Sequence, residues 1–242
     1  MCESRKPQSM IWLVKSSMLE LSIVFPAYNE ERNIVKCLQA ARPFIDSHNA
    51  EIIIVDDGSE DSTAQLVQTF PEVRLIQHQS NRGYGAAIRT GFSHCRGRWI
   101  FFSDSDLQFQ LEQLHDFWTY TSDYDVIIGY RHPRRDPAHR ILYAKLWAAL
   151  VNRVINMSIK DVNCAFKLIR REVLAGITLK AQGASINAEL LQKLSSKRLI
   201  QLPVHHYPRT EGIQTGGNLR VMARALWELL QLQRDDSEAQ KP

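Results

Sequence analysis

Arg98-Trp99-Ile100-Phe101-Phe102-Ser103 runs directly into Asp104-Ser105-Asp106. The middle of the first six residues is apolar, aromatic and β-branched, the composition of a buried strand. Two carboxylates are therefore delivered at a strand's carboxyl end, the edge at which open α/β sheets bind ligands. At spacing i, i+2 both side chains turn toward one ligand if the chain leaves the pleat there. They then supply hard oxygen donors suited to Mg²⁺ or Mn²⁺ carrying substrate phosphates. Asp and Ser are also common turn formers, so an isolated Asp-x-Asp is more often a surface turn. Its neighbours decide between the two.

Working outward, Leu21-Ser22-Ile23-Val24-Phe25 ends at Pro26, and Glu51-Ile52-Ile53-Ile54-Val55 ends at Asp56-Asp57-Gly58-Ser59. Residues 30–46 between them read as a helix. The pattern continues with a helix over 61–70, a strand over 73–77, a helix over 85–95, the strand before Asp104 and a strand over 124–128. Such alternation predicts an α/β fold with a mostly parallel, twisted sheet and helices on both faces. The near-continuous run Ile52-Ile53-Ile54-Val55 fits a strand buried on both sides. Beyond Gly129 the character changes: residues 130–140 are rich in Arg, His and Pro, a long helical run covers 141–157, and a further strand covers 164–169.

The chain has 242 residues, 44% hydrophobic and 23% charged, enough to bury one large core. A formal net charge of +4 is too small to indicate nucleic acid. Cys2, Cys37, Cys95 and Cys164 have neither metal-like nor disulfide-like spacing, which points to a reducing, cytosolic compartment. The apolar patch over 10–14 is too short for a secretory signal. No stretch reaches the roughly eighteen apolar residues that span a bilayer, so the expected chain is soluble or lies on a membrane.

Four loops follow predicted parallel strands: Pro26-Ala27-Tyr28-Asn29-Glu30, Asp56-Asp57-Gly58-Ser59, Asn81-Arg82-Gly83-Tyr84-Gly85 and Asp104-Ser105-Asp106-Leu107-Gln108. In a doubly wound sheet they converge on one crevice. Acids for a base and ribose, a Gly-rich turn at a helix start and a metal-binding acid pair are what a nucleotide diphosphate needs. Gly83-Tyr84-Gly85 lacks the third glycine of a dinucleotide fingerprint and follows the third strand, which argues against hydride transfer.

These motifs, with Gly129-Tyr130-Arg131 and Asp161-Val162-Asn163-Cys164-Ala165-Phe166-Lys167, occur in the order found in family 2 glycosyltransferases of the A-type (GT-A) fold. The chain resembles in particular the branch of dolichyl-phosphate mannose synthases and bacterial polyprenyl-phosphate sugar transferases, over residues 21–217. The resemblance implies an N-terminal extension over 1–18, a catalytic domain over 19–217 and an amphipathic helix with a disordered tail over 218–242. Within the domain, the nucleotide-binding half covers 19–129 and the acceptor-side half 130–217. Pro26, Tyr28, Glu30 and Asp57, with Asp56 beside them, are expected to line the nucleoside pocket. Arg82 is expected to serve structure or donor phosphate. Asp104 and Asp106 are expected to hold Mg²⁺ or Mn²⁺ on the donor diphosphate, with Gln108 a third ligand. The ion neutralises charge that builds on the departing nucleotide.

The implied acceptor is a polyprenyl phosphate. Arg131, His132, Arg134, Arg135, His139 and Arg140 crowd one stretch, and the resemblance gives Arg131 to the phosphates and Arg140 to the acceptor. Tyr130 stands where many relatives carry Ser. A phosphate monoester, with a second pKa of about 6, is already anionic and needs no strong base. A sugar hydroxyl would need one, and Asp161 is the candidate, with a helix cap or an Arg/Lys partner as the equal alternative. Arg209, in Pro203-Val204-His205-His206-Tyr207-Pro208-Arg209, corresponds to a late loop that closes over phosphate. His205 and His206 have no third ligand at suitable spacing and read as packing residues. The helix over 141–157 is apolar on most faces, which fits a core helix or one lying at a membrane interface. The C-terminal helix sets Arg220 and Arg224 opposite Leu226 and Trp227, a second interfacial candidate.

The expected enzyme is peripheral on the cytoplasmic face of a membrane, with room for a membrane-anchoring partner protein and with no nucleic acid partner. The alternatives are a soluble family 2 transferase acting on a saccharide hydroxyl and a non-catalytic nucleotide-sugar-binding subunit.

Overall fold

The computed structural model describes residues 18–134, 138–209 and 227. Strands β1 (Leu21–Ala27), β2 (Ala50–Asp56), β3 (Val73–Gln77) and β4 (Trp99–Phe102) build the first half. They are joined through helices α1 (Ile34–Ala41), α2 (Pro43–Ser47), α3 (Thr63–Gln68) and α4 (Tyr84–His94). Every residue of β1, β2 and β4 is buried, as strands covered on both faces must be. The single helix expected over 30–46 is two. Pro43 has no N–H to donate and its ring crowds the preceding turn, so α1 stops at Ala41 and α2 begins on the proline.

The second half adds α5 (Leu114–Trp118), β5 (Val126–Arg131), α6 (Ala138–Ile155), β6 (Lys167–Arg170), α7 (Ile186–Lys193) and β7 (Leu199–Val204). All seven strands join one sheet in the order β3-β2-β1-β4-β6-β5-β7. β1 pairs in parallel with β2 and β4, β2 with β3, and β5 with β7. β6 lies antiparallel between β4 and β5. The chain leaves β1 toward β2 and β3, then returns to β1's other side as β4. That reversal opens a crevice at the carboxyl ends of β1 and β4.

Phe166 seals the floor beneath the crevice, with Phe101 and Phe117 packed edge-on to it at centroid distances of 4.7 and 4.9 Å. Helix α6 divides its apolar side chains between two faces. Trp147, Val151 and Ile155 are buried, whereas Leu142, Leu146 and Leu150, at i, i+4 and i+8, are exposed. The helix stops at Asn156, which takes a left-handed φ of 52°, a conformation asparagine tolerates. Asn152 secures the exit by bonding both the N–H and the carbonyl of Ile159 at 2.9 Å.

The N-terminal extension up to residue 17, Arg135 and the C-terminal helix and tail lie outside the described residues, Trp227 apart. Arg140 sits in α6, but its side chain lies outside the described residues. Among the described residues no helix is long and apolar enough to cross a membrane.

Candidate active site

Strand β4 ends at Phe102, and the chain turns out of the sheet through Ser103-Asp104-Ser105-Asp106. Ser105 donates to the Pro26 carbonyl at 2.9 Å, tying this turn to the end of β1. Leu107 then takes a left-handed φ of 60°. That is a costly conformation for a branched side chain, and such strain collects at functional loops. Its effect is to reverse the chain so that the Gln108 N–H caps Asp106 Oδ1 at 3.2 Å.

The two carboxylates sit close enough to disturb each other. Burial first, and the Asp106 charge second, push Asp104 up from 3.8 to about 7. Burial also raises Asp106, with Glu30 adding to the rise and the Gln108 N–H and Arg209 opposing it. A pair of adjacent carboxylates that resist ionising together is relieved by a divalent cation. Among the described residues no group of three or more His, Cys, Asp or Glu gathers. Two aspartates alone would leave most coordination positions to phosphate oxygens and water, which is how Mg²⁺ and Mn²⁺ are usually held with nucleotides. The donor set therefore fits that ion. The Gln108 side-chain amide nitrogen donates to the Tyr207 carbonyl at 3.0 Å.

That contact is half of a clasp. The Tyr207 N–H donates to the Gln108 carbonyl at 2.9 Å, and Phe109 bridges to His206. His205 uses its N–H on Gln113 at 2.7 Å. His206 is thus a buried packing residue of a loop stitched to the acid turn, whereas His205 is exposed and held by its backbone. The clasp delivers Arg209, whose guanidinium donates to Glu30 Oε1 at 2.6 Å and lies 3.6 Å from Asp106 Oδ2. Glu30 is held from the other side by Asn33 at 2.7 Å.

The acids expected at the nucleoside are organised differently from one another. Asp57 is buried and accepts from the N–H groups of Arg82 (2.9 Å) and Gly83 (2.8 Å) and pairs with His78 Nδ1 at 2.6 Å. Its work in this state is to shape the 81–83 turn. Asp56, also buried, accepts from the Ser59 N–H at 3.1 Å. Tyr28 is exposed at the mouth of the crevice, as is Arg82, which touches Asp57 through its backbone. Gly83 takes a φ of 93°, and a Cβ on Gly85 would collide with the Ala181 carbonyl oxygen. Both positions need glycine because the 180–183 loop presses on the start of α4. The buried Glu189 holds that loop by accepting from the N–H groups of Lys180 and Ala181, each at 2.8 Å.

Arg131 ends β5 and forms a fork on Asp161, with Nε at 2.6 Å and a terminal nitrogen at 2.8 Å. Arg134 stands 3.7 Å from the same carboxylate. Burial alone would raise Asp161, but the Arg131 hydrogen bonds and the two positive charges hold it below the usual carboxylate range. Of the two sequence readings of Asp161, this geometry gives the arginine partner, and a carboxylate so stabilised is a poor proton acceptor. Arg131 also lowers the proton affinity of Asp104, so its charge is felt in the crevice.

Four residues were given no role by the sequence reading. His78 supports Asp57, while Tyr84, Asn187 and Lys167 lie behind Asp104. Tyr84 donates to Asp104 Oδ1 at 3.0 Å. Lys167, fully buried in β6, donates to Asn187 Oδ1 at 2.9 Å and to the carbonyls of Val162 and Cys164. A lysine inside Phe166-Lys167-Leu168-Ile169 was the available signal, since a charge in an apolar strand needs partners. Nothing in the sequence marked Asn187.

A family model described as "Glycosyl transferase family 2" matches residues 22–178. Curated relatives include an undecaprenyl-phosphate 4-deoxy-4-formamido-L-arabinose transferase of Shewanella sediminis (strain HAW-EB3), 30% identical over 79% of this chain and 60% of the relative. The protein of the same name from Salmonella choleraesuis (strain SC-B67) is 30% identical over 80% of this chain and 61% of the relative. The chain thus spans less than two thirds of these relatives. Among solved structures, glucosyl-3-phosphoglycerate synthase from Mycobacterium tuberculosis in complex with Mn²⁺, UDP and glucosyl-3-phosphoglycerate superposes with a TM-score of 0.71 at 19% identity, over 89% of this chain and 80% of that one. Its complex with Mg²⁺ and UDP gives 0.71 at 18%, over 89% and 79%. At these identities the likeness shows the fold, which is GT-A.

Proposed function

The chain belongs to glycosyl transferase family 2, and from that premise we propose that it moves a hexose from a nucleotide diphosphate sugar to a polyprenyl phosphate, with inversion, at the cytoplasmic face of a membrane. The observation that carries the reading is the pair Asp104 and Asp106 at the switch point of the sheet, both with raised proton affinity and with the Arg209 guanidinium 3.6 Å from Asp106. The relatives named for transfer to undecaprenyl phosphate favour the lipid acceptor, and their sugar widens the donor panel beyond hexoses. The exposed stripe of Leu142, Leu146 and Leu150 favours peripheral contact with a membrane surface.

Each group has a role in such a transfer. A phosphate oxygen of the acceptor attacks the anomeric carbon, and the bond from that carbon to the donor diphosphate breaks with its electron pair going to the diphosphate. Asp104 and Asp106 would hold a divalent cation, which would supply counter-charge to the leaving group. Arg209 places a second positive charge beside the pair. Arg131 and Arg134, oriented by Asp161, provide a basic wall for the acceptor phosphate. Glu30 and the turn shaped by Asp57 bound the nucleoside end. The acceptor is anionic near neutral pH and needs no base, which suits a site whose best-placed carboxylate outside the metal pair, Asp161, is committed to Arg131.

A two-phase assay tests this reading: purified protein, Mn²⁺ or Mg²⁺, polyprenyl phosphate and radiolabelled UDP- and GDP-sugars, including an amino-pentose donor. Label is expected in the organic phase, and its transfer is expected to stop with EDTA or with Asp106→Ala. Label that moves only onto soluble glycans would replace the lipid acceptor with a saccharide hydroxyl. Donor binding without turnover on any acceptor would make the chain a binding subunit.

A further inference from the structure

The carboxylates at the switch point need to be held still as well as charged, and the residues behind Asp104 are arranged to do so. Tyr84 is the first residue of α4, Asn187 the second residue of α7, and Lys167 the first residue of β6, where it pairs with Phe102, two positions before Asp104. Three separate elements therefore bring polar groups to one point inside the core. Lys167 and Asn187 are almost completely buried, and a buried polar chain is stable only when every member is satisfied.

The direction of the hydrogen bonds follows from what each group is able to do. An ammonium has donors and no acceptor, so Lys167 obliges Asn187 to turn its Oδ1 inward, where the two meet at 2.9 Å. The Asn187 amide nitrogen is left facing away from the lysine, with the Tyr84 hydroxyl in hydrogen-bond reach. With the Asn187 amide available as a donor beside it, the Tyr84 hydroxyl gives its single O–H proton to Asp104 Oδ1, at 3.0 Å. A phenol is protonated at neutral pH, so the hydroxyl remains a donor.

We propose that Tyr84 is a positioning residue for Asp104, and that Lys167, acting through Asn187, fixes the direction in which the Tyr84 hydroxyl points. One oxygen of Asp104 is tied to the α4 start, and the carboxylate's orientation toward the cation is set before the ion arrives. The same logic applies to the outer partners of metal ligands generally, whose loss costs about 10–100-fold in metal affinity. The inference rests on Asp104 serving the cation in the function proposed above.

Two isosteric variants test it. Tyr84→Phe removes the hydroxyl and keeps the ring. Asn187→Asp keeps an oxygen for Lys167 but replaces the donor amide with an acceptor, so the Tyr84 proton turns to the introduced carboxylate and away from Asp104. Mn²⁺ affinity is measured by counting free Mn²⁺ in electron paramagnetic resonance, with UDP and separately with GDP. Nucleotide affinity is measured in EDTA, and thermal melting checks the fold. Both variants are expected to weaken Mn²⁺ binding about tenfold or more, while nucleotide affinity in EDTA stays at the wild-type value. Wild-type Mn²⁺ affinity in Tyr84→Phe overturns the positioning role, and wild-type affinity in Asn187→Asp alone overturns the directional role of Lys167. A parallel fall in metal-free nucleotide binding overturns both in favour of general loosening. A wild-type protein that retains no Mn²⁺ with either nucleotide is a different result, which removes the cation from Asp104 altogether.

Discussion

Asp104→Asn is expected to make the metal-free protein more stable while abolishing its proposed chemistry. The folded protein raises Asp104 from 3.8 to about 7, chiefly by burial and secondarily by the charge on Asp106. A carboxyl group whose folded value lies above its unfolded value binds more protons folded than unfolded across that interval. Stability therefore falls as pH climbs from about 4 to about 7, and the cost is complete above it. At about 1.4 kcal/mol per tenfold change in proton affinity, the ceiling is roughly 4 kcal/mol. Charge sharing with Asp106 and relaxation of nearby water reduce the expected gain to about 1–2 kcal/mol. Asparagine has nearly the same shape and still accepts from Tyr84, so no cavity offsets that gain. For a chain of this size, each kcal/mol moves the melting temperature by about 2–4 °C. The assay is thermal melting in EDTA at pH 8 and at pH 5. The variant should melt several degrees higher at pH 8 and gain clearly less at pH 5, where only the part of the cost that accrues between about pH 4 and 5 is present. A variant that melts lower at pH 8, or gains equally at both pH values, would refute the claim that repulsion and burial of this carboxylate are held in reserve for a cation.

Three further outcomes follow from the same geometry. Arg131→Ala leaves Asp161 buried and stripped of its fork, and should lower stability by about 3–5 kcal/mol in chemical denaturation; the double change with Asp161→Asn should recover most of it. Gly85→Ala drives a Cβ into the Ala181 carbonyl oxygen, a backbone atom that cannot swing away. It should cost about 1–3 kcal/mol and shift the denaturation midpoint accordingly. Arg209→Ala removes a charge that lowers the proton affinity of Asp106. The pH midpoint for Mn²⁺ binding should move upward, because protons compete longer for the pair as pH rises; a midpoint unmoved or lowered counts against Arg209 as their neighbour.

The nucleotide half was legible because its signals agree. β1, β2 and β4 are short apolar runs that lead into the turns carrying Glu30, Asp57 and Asp104, and each chain exit brings the acid or turn residue that the crevice needs. The second half hides its elements. α7 buries Asn187 and Glu189, so its inner face does not look apolar and no helical stripe stands out. β7 is an edge strand, half-exposed, with Pro203 near its end. Proline is tolerated on an edge because it has no ladder bond to donate there, and the residue makes the strand look like a loop. β6 begins at Lys167, later than the apolar run suggests, because Asp161 to Cys164 is folded into the turn that carries the Arg131 fork. In the site, sequence located the acids and arginines but not their pairings. That Asp161 belongs to Arg131, and that Arg209 reaches Glu30, depend on elements far apart in the chain, and no local pattern encodes such a meeting.

The most direct test of the central claim is an anomalous difference map at the manganese edge from crystals grown with Mn²⁺ and the nucleotide diphosphate the protein binds. The account predicts a single peak at about 2.0–2.3 Å from carboxylate oxygens of Asp104 or Asp106 and from oxygens of the diphosphate. A peak elsewhere, or a bound diphosphate with no ion between it and these two side chains, would contradict it.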